Sequence, residues 1–258
     1  MRETAIVNPN RTRRMLRTFA LISCGAISLA TLSFASVAHA AEEGLEPVNV
    51  RVDDIASLQR GSRLFFNYCS GCHSLQYLRY SRIAEDLHLD EKEVASSLIF
   101  TGAKIGDKAT NHMPADLAAA AFGKAPPDLS LEARAKGPDW IYHYLKSFYL
   151  DPTRPVGWNN TVFPNASMPN ALWELQGLQV AEKGEGDEAA PKLSIHTPGR
   201  VTPEQYDRAV RDITTFLAYA GEPAALKRQS MGVWVLLYLA FFTFIAWLLK
   251  HEYWKDVH

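Results

Sequence analysis

Cys69 and Cys72 stand three apart in the stretch NYCSGCHSL, residues 67–75, and His73 follows the second cysteine. Two thiols and an imidazole at this spacing suit three chemistries. A structural zinc ion takes four ligands, usually from a second paired element. A redox dithiol belongs in a βαβ context, and Cys-x-x-Cys-His is the pattern that attaches haem c. Geometry favours the last. Two thioethers must reach the vinyl groups on one porphyrin edge, and the next residue must set an imidazole under the iron. A short helix end does all three. The remaining cysteine, Cys24, lies near the N-terminus, and no βαβ pattern surrounds the pair. An ordinary disulfide between Cys69 and Cys72 stays open as the plain alternative.

A haem iron needs a sixth ligand or an open site. An open site binds or transforms a small molecule; a closed one transfers electrons, and Met opposite His raises the potential. Two Met-Pro pairs offer a thioether, Met113-Pro114 and Met168-Pro169. In single-haem c-type folds the Met loop lies between a middle helix and the C-terminal helix. Met168 fits that order and Met113 precedes the middle helix, which leaves Met113 a loop or packing residue. His112, beside Met113, keeps that segment as an alternative.

The elements that must position these residues are mainly helical. Residues 54–68 place Ile55, Leu58, Leu64, Phe65 and Tyr68 near one face, with Asp53 or Asp54 as cap, and run into the cysteines. Residues 139–150 predict a second helix, stopped by Asp151-Pro152. Residues 203–220 predict a third. Thr202 and Gln205 form a capping box, Pro203 sits in the first turn and Gly221 ends the helix. Stretches 123–130 and 151–170 belong to irregular connections rich in Gly, Pro and Ala and resist regular assignment. Residues 182–190, EKGEGDEAA, read as a solvated acidic loop, with a docking surface as the sharper option. No strand pairs or repeats stand out.

The ends read as membrane-directed. Residues 1–40 hold five of the 27 Lys and Arg residues and one of the 28 Asp and Glu residues, so residues 41–258 carry about five net negative charges. That balance lacks the basic footprint of a nucleic-acid binder. A basic segment ending at Arg17, an uncharged run from Phe19 to Ala38 and the Ala38-His39-Ala40 pattern predict an export signal cleaved after Ala40. The uncharged run Met231–Leu249 has 19 residues, with Trp234 and Trp247 near its ends. It is long enough to span a bilayer. The expected organisation is a signal at 1–40, an exported domain at 41–230, an anchor at 231–249 and a cytoplasmic tail at 250–258.

Four segments together resemble the cytochrome c1 family, the haem-c subunits of cytochrome bc1 complexes. They are NYCSGCHSLQYLRY at the cysteines, PPDLSLEAR at 126–134, FPNASMPNALW at 163–173, and the anchor with its flanks from Lys227 to His258. The first is shared by all c-type cytochromes; the combination is far more specific. The resemblance implies a cytochrome c-like haem domain with long loop insertions and one C-terminal transmembrane helix. It implies one covalent haem c on Cys69 and Cys72, with His73 proximal and Met168 distal on the iron. Arg134 matches the family's arginine near the haem propionates, and Pro127 and Trp140 are pocket candidates. Asn170 stands where the family motif often continues with His or a further Pro. The implied role is electron transfer, with no bond chemistry by this subunit alone. An electron arrives from a Rieske iron–sulfur protein beside cytochrome b and leaves to a soluble or membrane-bound cytochrome c. The setting is a bacterial inner membrane, with the haem domain in the periplasm. Rival readings are a haem-c subunit of a terminal oxidase and a haem-c enzyme or gas sensor.

Overall fold

The computed structural model describes residues 45–182 and 191–256. The expected signal at 1–40, and the stretch 182–190 apart from Glu182, lie outside the described residues.

The first helix, α1 (Ile55–Tyr68), starts where Asp54 accepts a bond from the Ser57 amide at 3.0 Å. Such a cap contributes about 1 kcal/mol. Leu58, Phe65 and Phe66 point into the core. Next come β1 (Leu75–Arg79), α2 (Tyr80–Asp86), α3 (Glu91–Ser97), β2 (Lys108–Ala109), α4 (Ala115–Phe122) and α5 (Glu132–Ala135). The middle helix, α6 (Pro138–Lys146), has Pro in its first turn. It is followed by β3 (Phe148–Leu150), β4 (Trp158–Asn160), α7 (Trp173–Gln176), β5 (Gly177–Glu182) and β6 (Lys192–Pro198). Two long helices close the chain, α8 (Pro203–Gly221) and α9 (Ala225–Tyr253).

The expected capping box at α8 forms. The Thr202 amide donates to Gln205 Oε1 at 2.9 Å, and the Gln205 amide donates to Thr202 Oγ1 at 3.3 Å. The core lies where α8 packs on α1, α5 and α6. Phe65, Phe66, Phe216, Tyr80 and Tyr219 form its aromatic centre, with Phe65 and Phe216 rings 5.6 Å apart. Each such side chain stabilises the fold by about 1.5–3 kcal/mol through burial. The α1–α8 crossing is close. A Cβ at Gly61 would lie 2.0 Å from the Asp212 carbonyl oxygen, so only glycine fits. Asp212 is buried beside that contact. It accepts from Ser57 Oγ at 2.6 Å and from Arg60 Nε and Nη2 at 2.7 and 2.9 Å.

The mainly helical class holds, and two local expectations do not. First, α6 ends at Lys146, four residues short of 150. Ser147 Oγ turns back onto the His143 carbonyl at 2.6 Å, and Phe148–Leu150 pair with β4 instead. Second, the described residues contain three two-stranded antiparallel sheets, β1–β2, β3–β4 and β5–β6. Their signal is weak for a physical reason. β1 buries only Leu75 and Leu78, and β6 exposes most of its length, so neither shows the alternation of a half-buried strand.

The expected apolar run sits inside α9, about 43 Å long at 1.5 Å per residue. An 18-residue stretch of it has a mean hydropathy of 2.2, and from Met231 its described side chains are exposed, which fits a membrane anchor. Only Glu222, Pro223 and Ala224 separate it from α8. Its first turn belongs to the domain: Ala225 is buried, Leu226 packs on the core, and Lys227 Nζ meets Glu85 Oε1 at 3.3 Å.

Candidate functional site

Cys69 is the capping residue at the end of α1, with its amide still bonded to the Phe65 carbonyl at 2.8 Å. The chain then tightens. The Cys72 and His73 amides both donate to the Cys69 carbonyl, at 3.0 and 2.9 Å. This turn gathers both thiols and the imidazole at one wall of a cavity of about 310 Å³. That size falls at the lower end of small-molecule sites, and the lining is mostly apolar.

The segment Pro127–Ser130 forms the next wall and is clipped to the residues after the cysteines. Leu129 N donates to Ser74 O at 2.9 Å, Gln76 N to Asp128 Oδ2 at 2.9 Å and Tyr77 N to Ser130 Oγ at 3.2 Å. The clip sets Pro127 O 2.8 Å from His73 Nδ1. A carbonyl only accepts, so Nδ1 carries the proton and Nε2 keeps its lone pair. A carbonyl that accepts from the other ring nitrogen in this way orients a metal-binding histidine. Burial lowers the His73 pKa and pushes the Cys69 thiol up to about 12, with Cys72 adding to the latter. Both side chains therefore stay neutral at physiological pH.

The same cavity is lined by Met168, Pro169 and Ala171, with Trp140, Tyr144 and Leu145 from α6 and Ile213 and Leu217 from α8. Met168 is half-buried, and Tyr144 Oη donates to its sulfur at 3.6 Å. Of the residues singled out from sequence, Cys69, Cys72, His73, Pro127, Trp140 and Met168 share this cavity. Met113 and His112 do not line it, and His112 faces a separate cleft with Arg79 and Lys108. Arg134 also stays outside. It is exposed, and its stem lies beside Gly221, whose Cβ position is 3.2 Å from Arg134 Cγ. The cations that do line the cavity are Lys124 and Lys136, over the rings of Phe163 and Trp140 at 5.9 and 5.3 Å.

Lys136, Tyr144 and Phe163 escaped the sequence reading. For Tyr144 a signal existed: it lies four residues after Trp140, which puts both on one helix face. The donor set fits a covalent haem: two free thiols, an imidazole with Nε2 available, and a thioether, all on one apolar enclosure.

The profile described as the Cytochrome C1 family matches residues 49–257. The chain is 50% identical to "Cytochrome c1" of Allochromatium vinosum, over 87% of this chain and 94% of that protein. It is 41% identical to "Ammonia monooxygenase gamma subunit" of Nitrosomonas europaea, over 89% of this chain and 97% of that protein. It is 32% identical to "Cytochrome c1" of Rhodospirillum rubrum, over 79% of this chain and 83% of that protein.

Proposed function

The chain belongs to the cytochrome c1 family, and we propose on that premise how its residues serve electron transfer. As a family member it is a haem-containing electron-transfer subunit of a bc1 complex, with haem c covalently bound. Haem c supplies the one-electron couple. Cys69 and Cys72 would hold it by thioethers, and His73 Nε2 and Met168 Sδ would be the ligands to its iron. A Met/His pair holds a haem site closed and its potential high. Lys136 lines the cavity and would be within reach of a haem propionate, beside Arg134, the residue to which the family resemblance gives that role. Trp140, Ile213 and Leu217 exclude water, and Pro127 fixes the imidazole through its carbonyl.

The electron comes from a Rieske iron–sulfur protein beside cytochrome b and goes to a cytochrome c. The acidic balance of residues 41–258 steers a basic carrier toward the domain. The domain faces the periplasm after removal of residues 1–40, α9 crosses the membrane, and residues 250–258 end in the cytoplasm. The observation that carries this reading is the single apolar cavity joining Cys69, Cys72 and His73 to Met168.

The test is affinity purification from gently solubilised native membranes, with co-purifying proteins identified by mass spectrometry. A cytochrome b with a Rieske protein is the expected result. Recovery with a haem–copper oxidase core, or with an ammonia monooxygenase, would move the chain to another electron-transfer assembly.

A further inference from the structure

We propose that the Tyr144 hydroxyl tunes the Met168 thioether, raising the midpoint potential of the chain through a hydrogen bond to the sulfur. The inference rests on the reading of Met168 as the distal ligand.

The bond is built rather than incidental. Tyr144 lies in the last turn of α6, and its ring is held on two sides. Trp140 stacks on it at 4.8 Å and 9°, and Phe148 meets it edge-on at 5.0 Å and 69°. The Met168 segment is tied to the same turn at both ends by buried amides. On the entry side, Asn160 is 1% exposed. Its Nδ2 donates to the Tyr144 carbonyl at 2.8 Å, and its Oδ1 accepts from the Val162 and Phe163 amides at 2.9 Å. On the exit side, Asn170 Nδ2 donates to Gln176 Oε1 at 2.7 Å, and Gln176 Nε2 donates to the Lys146 carbonyl at 3.1 Å. Two asparagines thus bracket Met168, and each is anchored within two residues of Tyr144. The separation of hydroxyl and sulfur is therefore set by the fold.

Among the described residues, Met168 Sδ is the acceptor that the Tyr144 hydroxyl has. A thioether sulfur has two lone pairs. One can bind a metal while the other accepts a proton. The hydrogen's positive end would then sit beside the sulfur that holds the metal. It disfavours the oxidised form, which carries one more positive charge, and so favours the reduced form. Sulfur is a weak acceptor and 3.6 Å is long, which puts the effect at the low end for hydrogen bonds.

Tyr144→Phe keeps the ring and its stacking and removes only the O–H. In the full-length haem-loaded protein it is expected to keep its haem and its sulfur-to-ferric-iron charge-transfer absorption. The reduced-to-oxidised ratio at fixed ambient potential should fall about threefold, a lowering of about 28 mV at 59 mV per decade. Tyr142→Phe is the companion. That hydroxyl bonds Asp207 on the outer side of α6, so its loss should lower the unfolding temperature and leave the potential in place. An unchanged potential in Tyr144→Phe would overturn the proposal. So would loss of the charge-transfer absorption in that variant, which would make Tyr144 a support for the loop. A parent protein that lacks this absorption would overturn the Met168 reading first, and the inference with it.

Discussion

Gly61→Ala tests the crossing on which the cavity stands. A methyl at Gly61 meets the Asp212 carbonyl oxygen at 2.0 Å and Phe216 Cβ at 2.9 Å. Real contacts of this kind stay above 3.0 Å, so α1 and α8 must part by at least 1 Å. The obstacle is backbone, which cannot swing aside. Overpacking of a close-packed core costs about 1–3 kcal/mol. Parting the helices also pulls Asp212 away from Ser57 and Arg60, and hydrogen bonds to charged groups contribute about 1.5–3 kcal/mol. Alanine returns about 1 kcal/mol in helix propensity. The net loss is then about 1.5–5 kcal/mol. For a domain of this size that lowers the unfolding temperature by about 3–20 °C. Ile213 and Leu217 move with α8, so the visible spectrum of the bound haem should broaden as well. The assay is thermal unfolding of the detergent-solubilised, haem-loaded protein by circular dichroism. Gly232→Ala is the control, because its Cβ meets nothing within 4 Å. An unfolding temperature for Gly61→Ala equal to or above the parent's would refute the close crossing.

Three further outcomes are expected. Met168→Leu should retain covalent haem and lower the midpoint potential sharply in a redox titration; an unchanged potential would give the sixth position to another residue. Asp207 is held at a pKa of about 2 rather than 3.8; partial burial opposes the shift, and hydrogen bonds from Lys146, Tyr142 and Arg211 outweigh it. Its folded-state pKa is depressed, so its contribution is complete above about pH 4 and is lost as pH falls toward 2. With half-exposed partners this is worth about 1 kcal/mol, and Asp207→Asn should unfold earlier than the parent at pH 7 but nearly equally at pH 2. Electron transfer to a basic cytochrome should slow as salt rises, since the screening length falls from about 10 Å at 0.1 M to about 3 Å at 1 M; a flat salt profile in stopped-flow kinetics would remove steering.

Legibility followed how locally each feature is encoded. Cys69, Cys72 and His73 lie within five residues, and one turn suffices to gather them. The capping box of α8 lies within four residues and read correctly from Thr202 and Gln205. Met168 was reachable because element order separates it from Met113, and the cavity contains the first and omits the second. What failed was long-range or indifferent to sequence pattern. β1 pairs with β2 across some thirty residues, and its register is fixed by the Ser81–Ile105 and Tyr80–Asp107 backbone bonds rather than by alternation. Arg134 and Lys136 lie two residues apart on neighbouring faces of a turn. Both are exposed, and only the local backbone decides that Lys136 lines the cavity.

The junction between α8 and α9 has a mechanical meaning. Leu217 lines the cavity, and the anchor begins eight residues later, with its first turn already packed into the domain. A tether of that kind is a bracket, not a rope. It fixes the height and bearing of the cavity over the lipid surface and leaves the domain no slack to swing between donor and acceptor. On the proposed reading, travel in the relay would then fall to the molecules on either side, and this chain would serve them as a stationary terminal.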